Sequence, residues 1–301
     1  MSYIGFPKEL IPSLICQKCE SALGLEVKQE NKDRIVSGNL KCSKCEKTYA
    51  IRKGVVLFLE KEEVKSEIQK KEIEERDKQA QGYDKRLAPR YFREVVPTLK
   101  FLGDTSNKKL IEYACGTGRV TTEIKEGTHI LAIDFSVESL EVLSSKIKPD
   151  SITGLVLADA SKFKSANNFF DFALAAQFIE HLPSINDRKE FLLNVSNSIK
   201  KEAVFVSTVY YQDLRRKLKG LKPEGSHKDA IFFHYFSIKE SKKEWSEYFK
   251  HVEVVPIDIE LPLQARLSLS PEVSGFISER LQNIYPLNLF GHLLCVIANN
   301  K

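Results

Sequence analysis

Residues 110–119 read LIEYACGTGR, an apolar segment that runs directly into a glycine-containing turn. The apolar residues are typical of a buried strand, and Gly116 and Gly118 let the backbone approach a ligand with no Cβ in the way. A second apolar segment ends at Asp134, where nucleotide-binding sheets place the acid that binds ribose hydroxyls. Together these features predict a cofactor site at the carboxyl edge of a parallel sheet.

Short apolar runs alternate with amphipathic segments on the C-terminal side of this turn, as in strands joined by helical crossovers. Strands are predicted at residues 109–114, 129–134, 152–157, 172–176, 203–209, 252–258 and 289–298. Helices are predicted between them, for example at residues 137–146 and 187–199. The expected fold class is α/β, with a doubly wound, mostly parallel sheet of seven strands and a small β-rich module at the N-terminus.

Several motifs resemble those of class I S-adenosylmethionine-dependent methyltransferases. Residues 112–119, EYACGTGR, resemble the first motif of that family, and residues 133–136, IDFS, resemble the second. Residues 158–160, 170–174 and 177–182 resemble the later motifs in the family's order. A dinucleotide site is disfavoured, because its third glycine would fall at Thr121. The resemblance implies a Rossmann-like fold and S-adenosylmethionine as cofactor, although Ala114 replaces a glycine often found in the first motif.

The resemblance also implies which residues contact the cofactor. Glu112 and the glycine loop would hold the methionine part, Asp134 the ribose and Asp159 the adenine, while Tyr83 would cover the carboxylate. The predicted cofactor residues are Tyr83, Glu112, Ala114, Gly116, Gly118, Asp134, Phe135, Asp159, Ala160 and Gln177. Structural alternatives stay open, since Asp134 can serve as a carboxylate at a helix N-terminus and Asp159 as a turn residue.

His181 is the predicted catalytic residue. It follows the fourth strand of the sheet at the edge where such folds bind ligands, so it could take a proton from a methyl acceptor. Capping of a helix and structural packing are the alternatives for this histidine. Cys115 and Cys295 are interpreted as buried small residues, because neither has a neighbouring base in the sequence.

The N-terminal module contains two C-x-x-C pairs, Cys16 with Cys19 and Cys42 with Cys45. Paired cysteines at this spacing predict a structural zinc site, because four thiolates complete the tetrahedral shell that zinc prefers and leave no open position. Redox-active or unliganded thiols are the alternative. Residues 14–19, 42–45 and 49–55 resemble the zinc-ribbon family of methyltransferase activators, whose members act as partners of RNA and protein methyltransferases. In this chain the partner would be fused.

The predicted domain organisation has three parts. Residues 1–59 form the zinc-ribbon module, residues 60–82 a charged helical linker, and residues 83–301 the methyltransferase domain. The linker is interpreted as a spacer, because opposite charges recur along it and its apolar stripe is thin. A substrate-pocket insertion is predicted around residues 210–240, where aromatic residues cluster with two histidines.

The methyl acceptor is predicted to be a small molecule. Methylases of exocyclic base amines carry Asn or Asp before Pro-Pro after the fourth strand, whereas residues 175–178 read AAQF, and the Pro-Cys pair of cytosine C5 methylases is absent. An RNA methyltransferase that grips its substrate with the ribbon is the second hypothesis, supported by basic residues around the cysteines. A non-catalytic scaffold that binds the cofactor is the third.

The composition is that of an ordinary globular protein, with 42% hydrophobic and 29% charged residues among 301. A net charge of +5 is weaker than expected of a dedicated nucleic-acid-binding protein. No apolar run is long enough to span a bilayer, and the N-terminus lacks the pattern of a signal peptide. We therefore expect a cytoplasmic protein without a membrane span, whose protein partners the sequence does not identify.

Overall fold

The computed structural model describes residues 5–59, 67–227, 231–261 and 264–300. Its strands are β1 (Phe6–Pro7), β2 (Leu23–Asn31), β3 (Arg34–Cys42), β4 (Thr48–Arg52), β5 (Val55–Leu57), β6 (Lys109–Tyr113), β7 (His129–Asp134), β8 (Ile152–Leu157), β9 (Phe170–Ala176), β10 (Ile199–Tyr210), β11 (Glu224–Ser226), β12 (Phe232–His234), β13 (Phe249–Ile259) and β14 (Gly291–Asn300). Its α-helices are α1 (Glu67–Gln79), α2 (Tyr83–Leu87), α3 (Tyr91–Leu102), α4 (Val137–Lys146), α5 (Ile185–Ser198), α6 (Leu214–Leu218), α7 (Ile238–Ser246) and α8 (Pro271–Leu281). The first part of the predicted linker, residues 60–66, and residues 228–230 of the predicted insertion lie outside the described residues.

The central sheet confirms the predicted fold class. Its strands lie in the order β8-β7-β6-β9-β10-β14-β13. All are parallel except β14, which runs antiparallel to both β10 and β13. The chain order reverses between β6 and β9, and the carboxyl ends of these strands flank the crevice in which doubly wound sheets bind ligands.

Several predicted boundaries move by one to four residues, and two of these shifts have a clear cause. β6 ends at Tyr113, because Ala114 has a φ of 54° and turns the chain out of the sheet in the left-handed region. β10 begins at Ile199, which is fully buried and pairs with Phe170 directly after α5 ends. Both shifts follow from contacts that the local sequence pattern does not contain.

The N-terminal strands continue the central sheet. β5 pairs in parallel with β8, in the register Val55 to Leu155, and twelve described strands form one sheet. β1 packs against β8 as well, and a Cβ at Gly154 would lie 2.7 Å from a ring carbon of Phe6. Glycine at this position therefore allows the module to approach closely. The exposed edge that β8 would otherwise present is covered within the same chain.

Helix α1 packs on the loops that follow β7 and β8. Gln69 donates a hydrogen bond of 2.7 Å from Nε2 to Oδ2 of Asp159, and the hydroxyl of Ser136 donates one of 2.6 Å to Oδ1 of Asp77. Ile73 is a buried apolar residue of this mostly polar helix. A simple spacer does not describe α1, because its side chains contact the loops that follow β7 and β8.

Candidate active site

The glycine loop after β6 has the backbone geometry of a ligand-binding turn. Gly116 and Gly118 have φ values of 54° and 80°, which side chains disfavour. At Gly116 a Cβ would meet no atom within 4 Å, so this side of the loop is open. At Gly118 it would lie 2.3 Å from Cδ1 of Leu143, so the second glycine serves the packing of the loop against α4.

Asp134 holds this loop through its carboxylate. Oδ2 accepts a hydrogen bond of 2.8 Å from the amide of Gly116, and Oδ1 accepts one of 2.9 Å from the amide of Ser136 at the start of α4. The alternative role considered from the sequence, a carboxylate at a helix N-terminus, is therefore present. Burial raises the pKa of Asp134, and the two amides oppose this shift.

A cavity of about 300 Å³ lies over the loop at the switch point between β6 and β9. It is lined by nine of the predicted cofactor residues, namely Tyr83, Glu112, Ala114, Gly116, Asp134, Phe135, Asp159, Ala160 and Gln177, and by the predicted catalytic residue His181. Gly118 is absent from the lining, in keeping with its packing against α4. Residues of α1, including Gln69 and Arg76, form a further wall.

Glu112 is a buried carboxyl group on the wall of this cavity, with 2% of its surface exposed. Among the described residues, its Oε2 atom has no hydrogen-bond partner. Burial raises the pKa of Glu112 to about 8, Thr121 opposes the shift, and the charge of Asp134 adds to it. The chain therefore presents an acceptor that a cationic group of a ligand can satisfy.

Asp159 closes a turn, which is the structural role considered for it, and it also lines the cavity. Its Oδ1 atom accepts hydrogen bonds from the amide of Ser161 at 3.0 Å and from its hydroxyl at 2.6 Å, which closes a turn. Its Oδ2 atom accepts the hydrogen bond from Gln69, and the residue lines the cavity. A bound ligand would compete with Gln69 for this carboxylate.

The sequence did not reveal the ion-pair network beside the loop. Glu94 on α3 is buried, lines the cavity and pairs at 2.8 Å with Arg90 and also with Arg119. Nε2 of Gln177 lies 3.3 Å from the same carboxylate. Burial raises the pKa of Glu94, and the two guanidinium groups oppose this shift. The signal available in the sequence was the position of Glu94, a charged residue on the buried face of the amphipathic helix α3.

His181 lines the cavity and has a defined hydrogen bond. Its Nδ1 atom is 2.7 Å from the carbonyl oxygen of Phe232. Because a carbonyl can only accept, Nδ1 carries the proton and Nε2 is the basic nitrogen of the neutral ring. The rings of Tyr210 and His227 lie 5.7 and 6.5 Å from that of His181. None of the described residues between 210 and 236 lines the cavity itself, so His181 separates it from this aromatic group.

The four cysteines of the N-terminal module converge, and their Sγ atoms all lie within 4.8 Å of one another. Cys16 and Cys45 are 3.5 Å apart, and Cys19 and Cys42 are 3.4 Å apart. A zinc ion bound to four sulfurs at about 2.3 Å requires sulfur separations of about 3.8 Å. The donor set therefore fits a closed tetrahedral zinc site.

Contacts link the first cysteine pair to the loop that follows Asp159. Gln17 donates a hydrogen bond of 2.8 Å to the carbonyl of Lys164 and accepts one of 2.9 Å from its amide. The hydroxyl of Tyr49 lies 3.4 Å from Sγ of Cys16, and the Tyr49 ring packs on that of Phe58. Phe58 in turn packs on Phe163 in the same loop. The segment of the first cysteine pair is thus in contact with the loop that forms one wall of the cavity.

Residues 111–207 match the methyltransferase domain family. This chain carries a methyltransferase domain. The match agrees with the methyltransferase resemblance of the motifs in these residues. A search of curated protein sequences gives no match. Helices long and apolar enough to cross a membrane were not found in the ranges that the structure describes.

Solved structures share the fold of this methyltransferase. A chain of the complex between the Haloferax volcanii Trm112 methyltransferase activator and its putative methyltransferase is 15% identical, with a TM-score of 0.55 over 75% of this chain and 98% of that chain. A possible histamine N-methyltransferase from Thermotoga maritima is 17% identical, with a TM-score of 0.54 over 75% and 98%. The 1,6-didemethyltoxoflavin N1-methyltransferase of Burkholderia thailandensis, solved with its substrate and S-adenosylhomocysteine, is 15% identical, with a TM-score of 0.53 over 78% and 89%.

Proposed function

We propose that the protein transfers a methyl group from S-adenosylmethionine to a small-molecule acceptor that approaches beside His181. The observation that carries this proposal is that Glu112, Asp134 and His181 line one cavity at the switch point of the sheet. The cofactor supplies an activated methyl group when bound. The protein has to align the acceptor with that methyl group and exclude water.

The cofactor would be held by residues that already line the cavity. The unpartnered oxygen of Glu112 suits the cationic amino group of the methionine part, and the open face of Gly116 allows close approach. Asp134 would bind the ribose while it continues to hold the loop. Asp159 and Ala160 would contact the adenine. The remaining predicted contacts are Tyr83, Ala114, Phe135 and Gln177. Gly118 would support the loop by packing against α4.

His181 would act on the acceptor. The hydrogen bond from Nδ1 to Phe232 orients the ring and leaves Nε2 as the nitrogen that can take a proton from an attacking hydroxyl or amine. Nε2 would take the proton that the acceptor loses when its lone pair attacks the methyl group that the cofactor would supply.

The enclosure of the cavity supports a small acceptor rather than a polymer. Helix α1 forms one wall and is tied to the loops after β7 and β8 by Gln69 and Asp77. A cavity of about 300 Å³ is at the small end of ligand pockets, so little space remains for a bulky substrate once a cofactor is bound.

The acceptor class can be tested with radiolabelled S-adenosylmethionine and a cell extract separated into small-molecule, protein and RNA fractions. We expect label in the small-molecule fraction, and none with His181→Ala. RNA binding should be weak. If RNA were the acceptor, its affinity would fall steeply with salt, because it would rest on phosphate contacts whose counterions are released. Label in the RNA fraction together with strongly salt-dependent RNA binding would contradict the small-molecule acceptor. Cofactor binding without transfer to any fraction would favour the scaffold.

We further infer that residues 1–59 form a zinc ribbon that supports the catalytic domain of residues 83–301, with residues 60–82 joining the two. Cys16, Cys19, Cys42 and Cys45 would hold the zinc. Gln17, which lies inside the first cysteine pair, would then position the loop of Asp159 through its two hydrogen bonds to Lys164. This role is structural, because all four ligands are cysteines and no position is open for substrate.

Gln17→Ala is expected to weaken S-adenosylmethionine binding by up to about thirtyfold while the zinc content stays at one per chain, because two hydrogen bonds of about 1 kcal/mol each are lost at the loop rather than at the metal. Calorimetric titration and metal analysis check the two quantities. Gln29→Ala is the matched control, since Gln29 is exposed on β2. Equal cofactor affinity in both variants would show that the ribbon does not position this loop.

A further inference from the structure

The exposed apolar side chains of this protein are concentrated on one part of its surface. Of the eleven large apolar residues that are exposed in the described ranges, seven lie in residues 218–221 and 267–285. They are Leu218, Leu221, Leu267, Val273, Phe276, Ile284 and Tyr285, and we call this surface the α6–α8 patch. Leu218 and Tyr285 are the most exposed, at 76% and 79%. Such a concentration marks an interaction surface rather than scattered exposure.

The two segments of the patch belong to one edge of the sheet. α6 follows the end of β10, α8 follows the end of β13, and residues 284–290 lead into β14, so all of them lie at the carboxyl edge. Arg215 joins them, because its Nη1 atom donates to the carbonyl of Glu260 at 2.9 Å and its Nη2 atom to that of Phe290 at 2.6 Å. The arginine points inward, whereas Leu218 and Leu221 face solvent.

The charged residues at the exposed end of α6 are basic, whereas the α8 segment of the patch also carries Glu272 and Glu279. Lys217, Lys219 and Lys222 are exposed and alternate with the two leucines, and none of them forms an ion pair with a described residue. Elsewhere, exposed lysines such as Lys125 and Lys148 are paired with acidic side chains. Residues 214–222 contain no acidic residue. Apolar side chains interleaved with free lysines are the arrangement by which surfaces bind anionic bilayers.

We propose that the α6–α8 patch docks this protein on an anionic lipid surface, with the leucines and Tyr285 entering the interface and Lys217, Lys219 and Lys222 meeting lipid phosphates. A second copy of the chain is a poorer occupant, because a two-fold contact would place the unpaired lysines against one another. Docking in this way turns the carboxyl edge of the sheet, and with it the cavity, toward the lipid. The proposal does not depend on the identity of the methyl acceptor.

The test is co-sedimentation with vesicles of phosphatidylcholine and with vesicles that also contain phosphatidylglycerol. The full-length protein should bind the anionic vesicles at low salt, release them at high salt and bind pure phosphatidylcholine weakly. The double variant Lys217→Gln/Lys219→Gln should lower the partition coefficient about tenfold, and Leu218→Ser/Leu221→Ser should lower it to a similar extent. Val27→Ser/Lys28→Gln, on the exposed strand β2, is the matched control and should bind as the unchanged protein does.

Cofactor affinity and thermal unfolding are measured on every variant, so that loss of vesicle binding is not a consequence of misfolding. The proposal is overturned if the unchanged protein ignores anionic vesicles, or if the control variant loses as much binding as the patch variants. It is also overturned if Leu218→Ser/Leu221→Ser converts a dimer to a monomer in analytical ultracentrifugation, because the patch would then bind a second copy.

Discussion

Cys42→Ser is expected to abolish zinc binding and to lower the free energy of unfolding by on the order of 5 kcal/mol. The four sulfurs form a closed shell, and structural zinc contributes about 10–16 kcal/mol of binding free energy in small zinc-binding peptides, so one missing ligand removes a large part of that contribution. The loss should spread to the cavity, because Gln17 and the Tyr49–Phe58–Phe163 contacts join the cysteines to the loop of Asp159.

Metal analysis, thermal unfolding and calorimetric titration with S-adenosylmethionine measure the three consequences. Cys295→Ala is the control, since Cys295 is buried on β14 at a distance from the four-cysteine cluster. It should keep one zinc per chain and an unchanged cofactor affinity, although the cavity it creates lowers stability modestly. If the Cys42→Ser protein unfolds at the same temperature as the unchanged one, the ribbon does not stabilise the fold through zinc.

Glu112→Gln is expected to weaken S-adenosylmethionine binding by about tenfold to a hundredfold, the value of one charged hydrogen bond. In the unchanged protein, cofactor affinity should also rise with pH between about 6 and 8, because Glu112, whose pKa burial raises to about 8, must ionise to pair with the amino group of the cofactor. That rise should be absent in Glu112→Gln. Calorimetric titrations across this pH range measure both effects.

Glu180→Gln is the matched control for this carboxyl group. Glu180 is fully buried, burial raises its pKa to about 8 as well, and it does not line the cavity. We expect Glu180→Gln to leave cofactor affinity and its pH dependence unchanged. Equal effects of the two substitutions on cofactor binding would show that Glu112 acts through the fold and not through contact with the cofactor.

Glu112 and Glu180 also make the free energy of unfolding of the ligand-free protein depend on pH. Their pKa values are raised in the folded state from 4.5 to about 8, so the folded protein holds more protons than the unfolded chain in this interval. Stability should therefore fall as pH rises from about 4.5 to about 8, by on the order of 3 kcal/mol for each group at pH 7. Urea unfolding at several pH values should show a shallower decline in both glutamine variants.

The parts of the candidate site that the sequence predicted belong to single strand–loop–helix units. Gly116 and Asp134 follow adjacent strands whose apolar runs are continuous, so the rules of doubly wound sheets place them at one edge. The mostly parallel character of the seven central strands follows from the alternation of strand and helix. The cysteine spacing likewise predicted the convergence of four sulfurs, because each C-x-x-C pair is a local turn.

The sequence by itself determined the strands, the glycine loop, the cysteine pairs and the edge of the sheet that carries the cavity, because each is encoded in residues close together along the chain. Only the tertiary structure decided that β5 pairs with β8, that α1 walls the cavity, and that Glu94 joins Arg90, Arg119 and Gln177 beside the loop. It also decided that Gly118 serves packing against Leu143. The physical reason is that these contacts join segments far apart in sequence, whose approach depends on how whole elements pack rather than on any local pattern of residues.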